Sequence, residues 1–259
     1  VLNRSRGSGE RAVEFVGCGA AVDSCDQLEP TDVVMISARD DAIEDCCRVL
    51  CEARLLRGGT IVFHCSGSLP STLLAPAREI GARIAGVHPV KSFVDSAQAV
   101  KTFAGTFCAV EGDPEACSVL RPALEACGAK TFDVRPEAKT TYHAGTVFAC
   151  NYLVSLMEIG LRCFEQAGVP RELALQILDP IVRGTVQNVT AMGPADALTG
   201  PIARGEVPVV KRQIDGLGQW DETVTKAYRV LGQVATELSA AKGDADDQSL
   251  RKIRELLSE

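Results

Sequence analysis

Residues 31–38 read TDVVMISA and residues 60–65 read TIVFHC, two short runs rich in β-branched residues and almost continuously apolar. Strands covered on both faces by helices have this pattern, whereas strands with one wet face alternate. Helical patterns follow at 41–56, 69–80 and 114–126, and further strand candidates at 83–88, 106–110 and 130–134. Asp113 before Pro114 is a helix start with an acidic cap and proline in the first turn. Strand and helix alternate as in parallel βαβ units. Beyond about residue 136 the strand signals stop, and helical patterns fill 137–167, 171–192, 208–216, 222–242 and 248–258.

The expected fold is therefore α/β: a Rossmann-like, doubly wound parallel sheet of dinucleotide-binding type in residues 1–135, then an all-α domain in residues 136–259. A sheet of this type begins with a strand, a glycine-rich turn and a helix, about 25 to 30 residues in all. Residues 1–5 look instead like a strand end running into a loop, so the sheet is expected to lack its first βα unit here. Gly17-Cys18-Gly19 resembles the start of a phosphate-binding fingerprint, but Val22 stands where the third glycine belongs. Too few residues then remain before Thr31 for the helix that would hold a pyrophosphate; a helix end and a short strand is the better reading.

Composition narrows the function. The 259 residues carry 27 Lys+Arg against 34 Asp+Glu, a net charge of -7 and a pI near 5.2, which offers no basic field to nucleic acid. Eleven cysteines are scattered on alanine-like apolar positions with no secretory signal, as expected of reduced core residues in a cytoplasmic protein. No Cys/His cluster has zinc spacing, so no metal is expected. An 18-residue stretch between Lys139 and Glu158 is free of formal charge, about the minimum for a membrane span. It nevertheless contains Thr140, Thr141, Tyr142, His143, Thr146, Asn151 and Ser155, which suits a helix buried inside a protein better than one facing lipid.

The three histidines sit among small or turn-forming residues: His64-Cys65-Ser66-Gly67, His88-Pro89 followed by Lys91, and Tyr142-His143-Ala144-Gly145. His64 and His88 fall at carboxyl ends of expected strands, where open α/β sheets bind ligands. His143 and Asn151, eight apart, lie about 80° apart around a helix and about 12 Å along it. One can transfer a proton near neutral pH, and the other can hold a carbonyl or a nicotinamide carboxamide; equally, they can be a buried polar pair bonded to neighbouring helices. Ser66 lacks an adjacent base and the nucleophile elbow, so positioning is its expected role. Leu198-Thr199-Gly200-Pro201-Ile202-Ala203-Arg204-Gly205 is either a structural turn or the presentation of Arg204 to an anionic substrate. Asn3-Arg4-Ser5 offers a guanidinium and a hydroxyl where an adenosine ribose would sit. With no acidic residue there, the pattern favours the 2'-phosphate of NADP over the free ribose of NAD, the alternative being a frayed terminus.

Together the Thr31–Ser37 run, Asp40-Asp41-Ala42-Ile43, His64-Cys65-Ser66-Gly67, His88-Pro89 with Phe93, Tyr142-His143-Ala144-Gly145 with Asn151-Tyr152, and Leu198-Thr199-Gly200-Pro201 with Arg204-Gly205 make the chain resemble a known family. Its members are Rossmann-like proteins taken to be NADP oxidoreductases, with a helical C-terminal domain of unassigned function. That family is similar to deazaflavin-dependent NADP oxidoreductases, pyrroline-5-carboxylate reductases and 3-hydroxy acid dehydrogenases. The resemblance implies NADP as cofactor, Ser37, Ala38 and Arg39 as a cofactor contact, and a helical domain that pairs with its twin in a homodimer. Two departures stand out: Ala38-Arg39 replaces a frequent Val-Pro, and Val147 stands where relatives of the hydroxy acid dehydrogenase type carry a lysine one turn before the asparagine.

The expectation is an NADP-dependent oxidoreductase passing hydride between nicotinamide and a small carbonyl or imine compound in a cleft between domains. His143 is its expected acid/base, Asn151 the orienting amide, and Ser66, His88, Lys91 and Arg204 the substrate end. The alternative is a non-catalytic nucleotide-sensing or dimerisation module, which fold alone does not separate from an enzyme.

Overall fold

The computed structural model describes residues 1–258 and contains two compact units, Val1–Leu153 and Val154–Glu259. In the first, five strands form one sheet in sequence order: β1 (Val33–Ile36), β2 (Ile61–His64), β3 (Arg83–Pro89), β4 (Phe107–Gly112) and β5 (Lys130–Asp133). β1, β2 and β3 are parallel, as are β4 and β5, but β4 runs antiparallel to β3. This corrects the all-parallel expectation. A parallel crossover has to carry the chain back along the whole sheet. Residues 90–106 hold only one six-residue helix, α4 (Ser96–Lys101), and Pro89 faces Cys108 across the turn.

Period-two alternation sorts the strand side chains onto two faces. Ile36, Val62 and Ile84 pack with Ile43 and Cys47 of α2 (Ile43–Glu52) and Ala77 of α3 (Ala75–Glu79). Ile61, Ala85, Val87, Cys108 and Val110 pack with Ala116 and Leu120 of α5 (Pro114–Ala126) on the other face. β1 is an edge strand whose Val33 and Met35 are exposed. The N-terminal helix α1 (Arg6–Val16) ends on Gly17 at φ 80°, the left-handed conformation glycine adopts without strain. Leu2 pairs in parallel with Val22 rather than with β1, so Gly17-Cys18-Gly19 closes a helix and leads to a short extended segment.

A continuous helical segment then runs through α6 (Lys139–Thr146), a π-turn at Val147–Asn151, and α7 (Tyr152–Gln166). Only 6 % of its apolar window is buried within this chain, and the helix is long and apolar enough to cross a membrane. Phe148, Val154 and Leu156 are exposed. The second unit holds the 22-residue α8 (Arg171–Met192), in which Ala174 alone is buried, and the short α9 (Pro194–Ala197). Its core comes from α10 (Val207–Gly218), α11 (Glu222–Lys242) and α12 (Asp247–Ser258), through Ile202, Val210, Ile214, Ile253 and Leu257.

Candidate active site

Because β1, β2 and β3 are parallel, the segments leaving them emerge at one edge of the sheet, and polar side chains gather there. Asp40, beyond β1, accepts through Oδ2 from the hydroxyls of Ser66 and Ser68, each at 2.9 Å. Ser66 Oγ in turn accepts from the amides of Ser68 and Leu69. The hydroxyl expected to meet substrate is thus engaged in holding the loop. His64 is fully buried. Its Nδ1 accepts from the Ser66 amide at 3.1 Å while Nε2 faces the Pro70 carbonyl at 3.3 Å. Only the neutral tautomer with hydrogen on Nε2 satisfies both partners, so His64 is a structural residue of the loop. Burial pushes the neighbouring Cys65 thiol up to about 11, which keeps it protonated and poorly nucleophilic at neutral pH.

His88 and His143 meet across this loop. His88, near the end of β3, shares a 2.9 Å hydrogen bond between Nδ1 and the Tyr142 hydroxyl. Its ring lies edge-on to both Tyr142 and His143, with centroids 5.7 and 5.4 Å away. Gly67 floors the recess: a Cβ there would lie 2.5 Å from His143 Nδ1 and 2.8 Å from the His88 ring. His143 itself is half-buried on α6. The Thr146 hydroxyl donates to the His143 carbonyl at 2.8 Å, which leaves its oxygen to accept from Nδ1, 3.3 Å away. Nε2 of His143 has no hydrogen-bond partner among the described residues and is free to serve a ligand.

Asn151 is the last residue of the π-turn and is exposed. The amide of Tyr152 bonds to the Val147 carbonyl, five residues back. Such a turn absorbs one surplus residue, so His143 and Asn151 are related as residues seven apart on a regular helix, about 20° around the axis instead of 80°. They therefore share a face. Thr146, the partner of His143, replaces Val147 as the residue stacked one turn before Asn151.

Burial, then the charges of His143 and Lys139, lower the His88 pKa to about 4, against the pull of Asp40. His88 is consequently neutral in the fold at physiological pH. A histidine depressed in the fold contributes stability that is complete above its unfolded value of about 6.5 and is lost as pH falls toward 4. Thermal midpoints measured across that window are expected to fall on acidification, and to fall less steeply in a His88→Asn variant. An equal slope in both proteins would contradict the assignment.

The other expected site residues have partners of their own or belong to other elements. Lys91 donates to the Thr102 carbonyl at 2.9 Å, closing the loop around α4. Arg204 belongs to the second unit and forms a two-point ion pair with Glu206 at 2.9 and 3.1 Å. Its turn is anchored by α11, where Ser239 and Lys242 donate to the Ile202 and Leu198 carbonyls, as the structural-turn reading anticipates. Ser37, Ala38 and Arg39 directly follow β1; Ala38 packs on the core and Arg39 pairs with Asp41 at 3.1 Å. Ser5 accepts from the Ser8 amide and caps α1. Next to it Arg4 is exposed and has no ion-pair partner among the described residues, while the neighbouring Asp23 is neutralised by Arg6 at 2.6 Å. An unpaired guanidinium beside the start of an eleven-residue helix fits an anionic group such as a ribose phosphate.

Three contributors went unassigned in the sequence reading: Tyr142, Asp40 and Gly67. Each was visible beside a histidine or at a strand end, yet nothing in residue spacing reveals a hydrogen bond between residues 54 apart.

Comparison with known proteins shows what the chain is similar to. A family model described as a domain of unknown function, DUF2520, matches residues 106–235, half of the chain. No curated protein matches. Among solved structures, protein TM1727 of Thermotoga maritima is 25 % identical with a TM-score of 0.72, the match covering 93 % of this chain and 90 % of that one. BF3122 of Bacteroides fragilis, described as a candidate NADP oxidoreductase, is 18 % identical with a TM-score of 0.70 over 93 % and 87 %. An imine reductase of Myxococcus stipitatus, solved with NADP+, is 14 % identical with a TM-score of 0.66 over 98 % and 90 %. The chain shares the Rossmann-like fold of these structures.

Proposed function

From the premise that the chain belongs to the DUF2520 family, we propose that the protein is an NADP-dependent oxidoreductase acting on a small carbonyl or imine compound. The observation that carries this reading is the unengaged Nε2 of His143, held beside a neutral His88 at the carboxyl ends of β2 and β3. The names of the similar structures add support for an oxidoreductase and for NADP. Bound nicotinamide supplies the hydride chemistry, leaving orientation and proton transfer to the protein.

Each residue then has a definite task. His143 moves a proton at Nε2, to or from the substrate oxygen or nitrogen, while Thr146 holds Nδ1 and so fixes which nitrogen reacts. Tyr142 holds His88 upright as the neutral wall of the recess. Gly67 leaves room for a ligand atom close to both rings. Asn151, on the same helix face as His143, hydrogen-bonds a carbonyl or carboxamide. Arg4, with Asn3 and Ser5, takes the 2'-phosphate.

The full-length protein is expected to quench or enhance NADPH fluorescence on titration, more strongly than NADH, and then to oxidise NADPH with at least one member of a keto acid and imine panel. Binding without turnover on any member would point to the nucleotide sensor instead.

We further propose that a second copy of the chain covers the exposed apolar surface of α7 and α8. A 22-residue helix with one buried residue and with Leu173, Leu175, Ile181, Val186, Val189 and Met192 exposed gains too little from its own chain to be stable. The threonines, His143 and Asn151 of the preceding segment argue for protein rather than lipid as the cover. Light scattering is expected to give twice the 27.5 kDa chain mass; a monomer at micromolar concentration would refute this. The thiols, all unpaired, suit a reducing cytoplasm.

A further inference from the structure

The most deeply buried charges in the sheet unit lie beside the histidine recess and have no part in the chemistry described above. The side chains of Glu111 in β4 and Lys139, the first residue of α6, are 2 % and 1 % exposed and pair at 3.2 Å. Glu111 Oε1 also accepts from the Ser71 amide at 2.8 Å, and Oε2 from the Ser71 hydroxyl at 2.6 Å. β3 makes room for them. Gly86 stands opposite Glu111, and a Cβ there would lie 2.2 Å from Glu111 Oε1 and 2.6 Å from Lys139 Nζ. Three separate segments, the loop after β2, the middle of the sheet and the start of α6, therefore converge on one carboxylate.

Removing two charges from water usually costs about as much as their attraction returns, so apolar residues of equal volume would hold these segments at least as firmly. An ion pair with two further donors adds directionality: α6 cannot slide or rotate on the sheet without leaving a buried charge unpaired. Lys139 precedes His143 by one helical turn and Tyr142 by three residues, so fixing its ammonium sets the height and rotation of both.

We propose that Glu111, Lys139 and Ser71 form a positioning clamp that seats α6 on the sheet so that Tyr142 and His143 meet His88. The inference rests on the acid/base reading of His143 for its purpose, although its readout does not involve turnover. His88 is the reporter. The groups facing its ring are Tyr142, His143, Asp40 and Lys139; of these His143 and then Lys139 act in the same direction as burial and Asp40 acts against it, while on His64 Lys139 is opposed by Glu111.

The test uses the full chain with 15N-labelled histidine. The double variant Glu111→Gln with Lys139→Met removes both charges, preserves volume and leaves no lone buried ion. It is expected to melt cooperatively, to lose the Tyr142-bonded Nδ1 signature of His88, and to raise the His88 titration midpoint above about 4. A folded double variant with His88 unchanged would overturn the clamp. If that variant does not fold, Ser71→Ala decides. Losing one donor is expected to speed amide exchange in residues 139–146 by about fivefold while β1 and β2 stay unchanged, and equal or uniform exchange would overturn the proposal. A protein without turnover on the substrate panel in which His88 responds as expected would retain the clamp and reject the oxidoreductase reading.

Discussion

Replacing His143 with alanine in the full-length protein is expected to lower kcat by about 10²- to 10⁴-fold on any carbonyl or imine substrate, the range contributed by one positioned acid or base. NADPH affinity should change little, because the residues assigned to the phosphate are Asn3, Arg4 and Ser5. The physical reason is the isolation of Nε2. No described side chain hydrogen-bonds that nitrogen, and the nearest imidazole, His88, is held near a pKa of 4 and bonded to Tyr142. His88 cannot substitute as an acid without breaking that bond and gaining charge in a partly buried place. In the reductive direction the general acid must be protonated, so loss of the high-pH limb of the pH–rate profile should accompany the lower rate. Steady-state rates of the two proteins across pH check it, and a variant with full turnover would remove His143 from the mechanism.

The second large effect concerns stability. Gly112→Ala is expected to lower the unfolding free energy by about 2–5 kcal/mol, from strained backbone and overpacking together. Gly112 has φ 131°, and an added Cβ would lie 2.4 Å from the Ile84 carbonyl oxygen and 2.6 Å from Ala85 Cα. Both obstacles are backbone atoms of the neighbouring strand, so no side chain can rotate away. The adjacent Asp113 accepts from the Ile84 amide at 2.9 Å, tying β3 and β4 at the point the methyl would pry apart. At about 2–4 °C per kcal/mol for a chain of this size, thermal melting should show a drop of about 5–20 °C. Gly216→Ala, in α10 with open space around it, is the control. It should be neutral or gain up to about 1 kcal/mol from helix propensity. A Gly112→Ala melt matching the wild type would mean that β3 and β4 are not paired in this register.

Much of this architecture could be read from residue order. The strands at 31–38 and 60–65 carry their type in continuous β-branched runs, and α5, α8 and α11 begin and end where periodicity indicated, although Asp113 gives its carboxylate to the Ile84 amide instead of capping α5. The direction of β4 was not legible, since parallel and antiparallel strands of the same burial have the same composition; only the short connection through α4 decides it. A related limit applies to residues 140–157. A run free of charge states that a surface wants cover and does not state which chain supplies it. His88 and His143 were found because two imidazoles near small residues are conspicuous. Glu111 and Lys139 went unnoticed, each sitting at the margin of an apolar run where a charge ordinarily reaches solvent. Their partnership depends on Gly86, whose missing side chain signals nothing until its neighbours are known.

The widened turn at Val147–Asn151 separates sequence distance from spatial distance. A protein with regular winding there would place the same pair of functional groups on one face with seven steps between them, whereas this chain uses eight. Fixed-interval motif searches built on either length will overlook the other. Loss of a single codon within that stretch should be among the few deletions the helix can absorb without disturbing which groups look at each other.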